Sequence, residues 1–152
     1  MNNLSTKVEP LKTLQSSPLF SKLSKGILWR IASLVQERSF ETGDYLMKQG
    51  EKGDSCFIIS RGRVEIFYEI DNKKITISEV GAGEILGELA IIDGLPRSAS
   101  VIAIEPTETL TISEWDFKAQ LQAYPEIALQ LLPLIAQRLR HTQNQLIKLN
   151  QQ

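Results

Sequence analysis

A chain of 152 residues with 42% hydrophobic and 23% charged residues is globular in composition and long enough to bury one core without disulfide or metal staples. Seventeen basic against eighteen acidic residues leave a formal charge of −1, without the basic footprint of a nucleic-acid binder. One cysteine cannot close an internal disulfide, and one histidine supplies metal chemistry poorly, which disfavours a cupin-like metal-dependent β-roll enzyme.

The start, Met1-Asn2-Asn3-Leu4-Ser5-Thr6-Lys7, lacks the apolar core of a signal peptide, and the apolar runs elsewhere are too short to span a bilayer. A cytoplasmic protein without membrane partners is expected. Residues 1–16 are polar with scattered leucines and read as a loosely attached N-terminal arm or short helix, ahead of a single domain over 17–152.

Ser17-Pro18 is a helix-start signal, and Leu23, Ile27, Leu28, Ile31, Leu34 and Val35 fall at helical spacing, predicting one or two short helices up to Gln36. Between Phe40 and Ile112 glycines punctuate short stretches rich in Ile, Val, Phe and Tyr. Residues 56–60, 64–68, 75–80, 98–104 and 109–112 read as antiparallel strands, with Asp71-Asn72-Lys73-Lys74 at a hairpin tip. From Ser113 the pattern is helical again: a short helix around Trp115 and Phe117, then a longer one opened by Tyr124-Pro125-Glu126 that Pro133 should kink. Ile135, Leu139, Thr142, Leu146 and Leu149 are spaced by four, three, four and three residues, a coiled-coil seam that Ala128 and Leu132 extend backwards. The predicted fold is α+β: an antiparallel β-roll (a double-stranded β-helix or jelly roll) over about 40–112, flanked by N-terminal helices and, within about 113–150, a long C-terminal helix.

The segment Gly83 to Ser100 interrupts the strands with a turn of helix. Near Gly87, Glu88, Leu89 and Ala90 such a turn offers unpaired backbone N–H groups and a positive dipole end, both suited to an anion, and Gly87 lets a ligand approach the backbone. Arg97 follows a rigid proline and precedes Ser98 and Ala99, so a fork of donors matched to phosphate oxygens is presented with room beside it. Glu88 would repel a phosphate but accepts hydrogen bonds from a sugar hydroxyl. The bland alternative is a Glu88–Arg97 ion pair that pins the loop.

Gly87-Glu88-Leu89-Ala90, followed after six residues by Arg97-Ser98-Ala99-Ser100-Val101, closely resembles the phosphate-binding cassette of cyclic nucleotide-binding domains. Gly43-Asp44, Gly50-Glu51, Gly53-Asp54, Phe57-Ile58-Ile59, Gly62 and Gly83 are similar to that family's β-roll turns, and the likeness extends over roughly residues 17–150. The resemblance implies Glu88 on the ribose 2′-hydroxyl, Arg97 on the cyclic phosphate with Ser98 and the Gly87–Ala90 backbone, and Ala99 lining the pocket. Arg138-Leu139-Arg140-His141-Thr142 is similar to the long helix of catabolite-activator-type regulators, which implies Thr142 as a base contact and a homodimer through that helix; Thr142 is equally a polar position of the seam. Those relatives continue into a helix-turn-helix, whereas this chain stops at Gln152, so a stand-alone sensor is expected. Leu86 stands where many members carry an aromatic residue.

Cys56 and Trp29 read as core, Trp115 and Phe117 as covers for the end of the roll with a lid aromatic as the alternative, and His141 as solvent-facing or a minor neighbour of the base pocket. Asp44, Asp54 and Asp93 adjoin glycines and read as turn residues, so no catalytic constellation, metal site or cofactor is expected. The expected function is a cyclic nucleotide sensor, cAMP ahead of cGMP, which signals to an unidentified effector by moving its C-terminal helix. The competing readings are a dimeric interaction scaffold with an unused cassette and the metal-dependent enzyme already disfavoured.

Overall fold

The computed structural model describes residues 5–151, with side chains from residue 9 onward, so the expectations for residues 1–4 lie outside the described residues. Eight antiparallel strands form two sheets: β1 (Gln36–Phe40), β8 (Thr107–Ser113), β3 (Ser55–Arg61) and β6 (Ile85–Leu86) in one, β2 (Tyr45–Met47), β7 (Ser100–Ala103), β4 (Arg63–Ile70) and β5 (Lys73–Gly81) in the other. Helices α1 (Ser5–Ser16), α2 (Lys25–Leu34), α3 (Glu88–Asp93), α4 (Glu114–Ala123) and α5 (Pro125–Asn150) complete the α+β roll with its long C-terminal helix.

Cys56, Phe57, Ile58 and Ile59 of β3 are all buried because this strand lies between two cores. Cys56 and Ile58 face a helix-covered cluster with Leu14 of α1, Phe20, Ile31, Phe117, Ile127 and Leu131. Phe57 and Ile59, alternating with them, face the inter-sheet cluster of Phe40, Leu46, Val64, Leu86, Val101 and Ala103. A strand buried on both faces reads as a continuous apolar run. Leu86 belongs to that second cluster and gives it an aliphatic wall.

The roll begins at Gln36, earlier than periodicity indicated, since four of the five residues of Gln-Glu-Arg-Ser-Phe are exposed and only pairing with β8 makes them a strand. In the hairpin Ile70 pairs Lys73, and Asp71 and Asn72 have φ of 53° and 64°, the left-handed pair of a two-residue turn that Asp and Asn tolerate.

Trp29, expected in the core, and Trp115, expected to cover the end of the roll, are both exposed. Trp29 on α2 is 43% exposed: the buried face of this helix runs through Leu28, Ile31 and Ala32. Trp115 on α4 is 83% exposed, because Phe117, two positions on and therefore across the helix, takes the inward place. Ser24 and Ser113 cap these two helices, accepting bonds from the N–H groups of Ile27 and Asp116 at 3.4 and 3.1 Å.

Helix α5 runs uninterrupted through Pro133, which is exposed, so the carbonyl it leaves without a donor can be served by water. Ile127 and Leu131 are buried and Ile135 packs against the core, but every residue from Ala136 to Gln151 is exposed. Leu132, Leu139, Leu146 and Leu149 of the seam therefore do not fold back onto the roll.

Candidate functional site

The site grows from the turn between β6 and α3. Gly87 caps α3 with φ of 85°, a left-handed conformation, and a Cβ there would lie 2.5 Å from Arg97 Nη1 and 3.2 Å from the Ser55 carbonyl. Glycine is required on both counts, conformation and space. The helix closes at Gly94, whose N–H donates to the Ala90 carbonyl at 3.0 Å, and Asp93 Oδ1 accepts from the Leu95 N–H at 2.9 Å. The first-turn amides of α3 have no acceptor within the helix.

Arg97 is held against this turn by its main chain. Its N–H donates to the Glu51 carbonyl at 2.7 Å and its carbonyl accepts from the Gly50 N–H at 2.9 Å, so the loop after α3 is stitched to the β2–β3 connection. Ser100 Oγ extends the stitch, accepting from the Gln49 N–H at 2.9 Å. The Arg97 side chain is only 6% exposed, yet among the described residues no carboxylate stands within ion-pair distance and its one hydrogen bond goes from Nη1 to the Gly87 carbonyl at 3.1 Å. Burial pulls the pKa of the guanidinium below its ordinary value, and the more distant charges of Asp54, Glu51 and Glu88 work in the opposite direction. A buried cation so poorly neutralised, bonded to the residue that opens α3, suits an anion of phosphate geometry.

Glu88 is 1% exposed and does not pair with Arg97. Its partner is Arg138 of α5: Nη1 donates to Glu88 Oε1, while Nη2 donates to the Ile85 carbonyl at 2.9 Å. Thr142, one turn further along, is exposed and donates through Oγ1 to the Arg138 carbonyl at 3.0 Å. Glu88, Ala90, Arg97 and Ala99 are buried and Gly87 beside them is partly so, whereas Leu89, Ser98 and Thr142 are exposed. Arg138 was not among the expected site residues. It lies four residues before Thr142, on the same helix face, but which acid it would reach could not be read from spacing.

Cys56 lies fully buried beneath the cassette; burial pushes its thiol pKa far up, the Glu88 charge adds to this and Arg97 opposes it. Two of the aspartates read as turn residues behave so: Asp44 Oδ2 accepts from the Glu41 N–H at 2.8 Å, and Asp93 closes the turn after α3. Among the described residues no three His, Cys, Asp or Glu side chains converge on a point that could hold a metal, and no helix is long and apolar enough to cross a membrane.

Residues 37–124, more than half of the chain, match the model of the family described as "Cyclic nucleotide-binding domain". A "Cyclic AMP receptor protein" of Thermus thermophilus is 32% identical over 128 residues, covering 84% of this chain and 59% of its own. The chain thus spans less than two thirds of the length of that relative. A cyclic nucleotide-binding domain from Methylobacillus flagellatus superposes with a TM-score of 0.80 at 30% identity, over 94% of this chain and 83% of that one. The regulatory domain of Toxoplasma gondii PKA, crystallised with cAMP, superposes with a TM-score of 0.71 at 25% identity, over 78% and 46%.

Proposed function

The chain belongs to the cyclic nucleotide-binding domain family, and from that premise we propose that it binds a cyclic nucleotide, cAMP in preference to cGMP, as a regulatory module and not as an enzyme. The observation that carries this reading is Arg97: a guanidinium buried against the Gly87 carbonyl, where α3 begins, without a carboxylate partner among the described residues. Such an arrangement is costly unless an anion completes it. The cyclic phosphate takes that place, held by Arg97, the Ser98 hydroxyl and the amides of Glu88, Leu89 and Ala90, with Ala99 leaving room and Glu88 accepting from the ribose 2′-hydroxyl. The unit that does this is residues 17–152, with α1 packed onto its core through Leu14.

Signal output runs through α5. A ribose hydroxyl at Glu88 shares the carboxylate with Arg138, so ligand and helix are coupled at one side chain, and Thr142 reaches the base when the helix closes. Ligand can shift the helix only by binding the closed state better, and those contacts supply the difference. The exposed Leu139, Leu146 and Leu149 support a second element of the reading, a homodimer through α5. They would equally serve a scaffold that never uses its cassette.

Calorimetric titration with cAMP and cGMP tests the proposal. One-to-one binding of cAMP that Arg97→Leu removes is expected. Heat that is unchanged in Arg97→Leu overturns the site, and no heat with either nucleotide in the unaltered chain leaves the scaffold reading in its place.

A further inference from the structure

Gly53 sits in the β2–β3 connection, buried, behind Arg97. It does not adopt the left-handed backbone of Gly43 or Gly50, around which a Cβ would meet nothing within 4 Å. Its demand is for space. A Cβ on Gly53 would lie 2.4 Å from Ala90 Cβ, 3.2 Å from Arg97 Nη1 and 3.3 Å from Arg97 Cζ. The space that a side chain of Gly53 would fill is therefore taken by Ala90 of α3 and the guanidinium together.

The same connection already holds Arg97 by its main chain, through the Gly50 N–H and the Glu51 carbonyl. Gly53 adds a third contact, a close steric one: only the lack of a Cβ lets the guanidinium approach this far. Arg97 Nη1 is then confined between Gly53 behind and the Gly87 carbonyl beside it, at the start of α3. We infer that Gly53 is a positioning residue for the anion: by lacking a Cβ it sets the distance between the Arg97 guanidinium and the first turn of α3, and so the width of the seat into which the phosphate fits. This inference rests on the proposed cyclic nucleotide site. A seat of charged donors is effective only when its geometry is held to a fraction of an ångström, and a methyl group at this place moves one wall of it.

Only the phosphate should feel that movement. For Gly53→Ala the affinity for cAMP is expected to fall about tenfold or more, the worth of one charge-assisted bond, while the affinity for adenosine, which lacks the phosphate, changes less than about twofold. Gly26→Ala, on an exposed helical position with nothing within 4 Å, serves as the control and leaves both affinities alone. Calorimetry with the two ligands reads the ratio. If the unaltered chain does not bind cAMP, the proposed function fails and takes this inference with it. If it binds and Gly53→Ala lowers both ligands alike, or neither, Gly53 is packing alone and the inference is overturned while the site stands. Should Gly53→Ala not fold, Gly53→Ala with Ala90→Gly relieves the 2.4 Å contact and keeps the one on Arg97. A depressed cAMP-to-adenosine ratio in that double variant supports the inference, and a ratio equal to that of the unaltered chain overturns it.

Discussion

The cassette around α3 and the distal half of α5 solve opposite problems. From Gly87 to Ser100 the key polar groups, Glu88, Arg97 and Ser100, are buried, and short bonds from the β2–β3 connection hold the loop in place before any ligand arrives. From Ala136 to Gln151 every residue is exposed, with leucines at coiled-coil spacing, and Arg138 provides the side-chain tie to the roll. The first region is organised by its own chain. The second is organised only as a helix, and its apolar seam is exposed. The proposed recognition and the proposed assembly therefore fall on separate stretches that meet at the Glu88–Arg138 pair, and substitutions can separate them.

The largest effect falls on the cassette. Arg97→Leu should cost about 3 kcal/mol or more in cAMP binding, roughly a hundredfold by calorimetry, since two or more charge-assisted bonds are lost together. Unchanged affinity would mean that the buried guanidinium serves the fold alone. The junction comes next: Arg138→Ala leaves the Glu88 carboxylate buried without its partner and should lower stability in urea by about 1–2 kcal/mol, discounted because Arg138 is itself half exposed. Glu88→Gln should recover part of that loss, and strict additivity of the two in a double-mutant cycle would show that the pair does not couple the regions.

Cys56 sharpens the contrast from beneath the cassette. Its folded pKa is raised above the ordinary 9.0, so the folded chain keeps a proton that the unfolded chain releases. The stability from this thiol is complete below pH 9 and drains as pH rises beyond it, at about 1.4 kcal/mol per unit. The difference in stability between the parent and Cys56→Ala, followed by urea melts from pH 8 to 10.5, should shrink accordingly; a constant difference would place the thiol in a less buried state. The smallest effect on stability belongs to α5. Leu139→Ser with Leu146→Ser should change monomer stability by no more than about 0.5 kcal/mol, as exposed substitutions do, while sedimentation velocity shows loss of the dimer. A large loss of monomer stability would mean that the seam packs on its own roll.

The order of elements was legible in the sequence wherever periodicity carried it: the face of α2, the run of β3, the hairpin at Asp71-Asn72 and the long helix after Tyr124. It failed where burial depends on a neighbour. Gln36–Phe40 has no alternation, and becomes a strand through β8; Trp29 and Trp115 are large and apolar, yet neighbours one and two positions away hold the inward faces of their helices. The candidate site divides in the same way. Residue types and spacing from Gly87 to Ala99 were enough to propose a seat for phosphate and sugar, because the chemistry lies within one short loop.

The sequence by itself determined that loop, the glycine turns around it and the apolar seam of the last helix, all of which follow from local conformation and periodicity. Tertiary structure alone decided that Glu88 pairs with Arg138 and not Arg97, that Gly53 backs the guanidinium, and that the seam stays uncovered. Each depends on groups distant in the chain meeting at one point, and no local pattern encodes the distance between them.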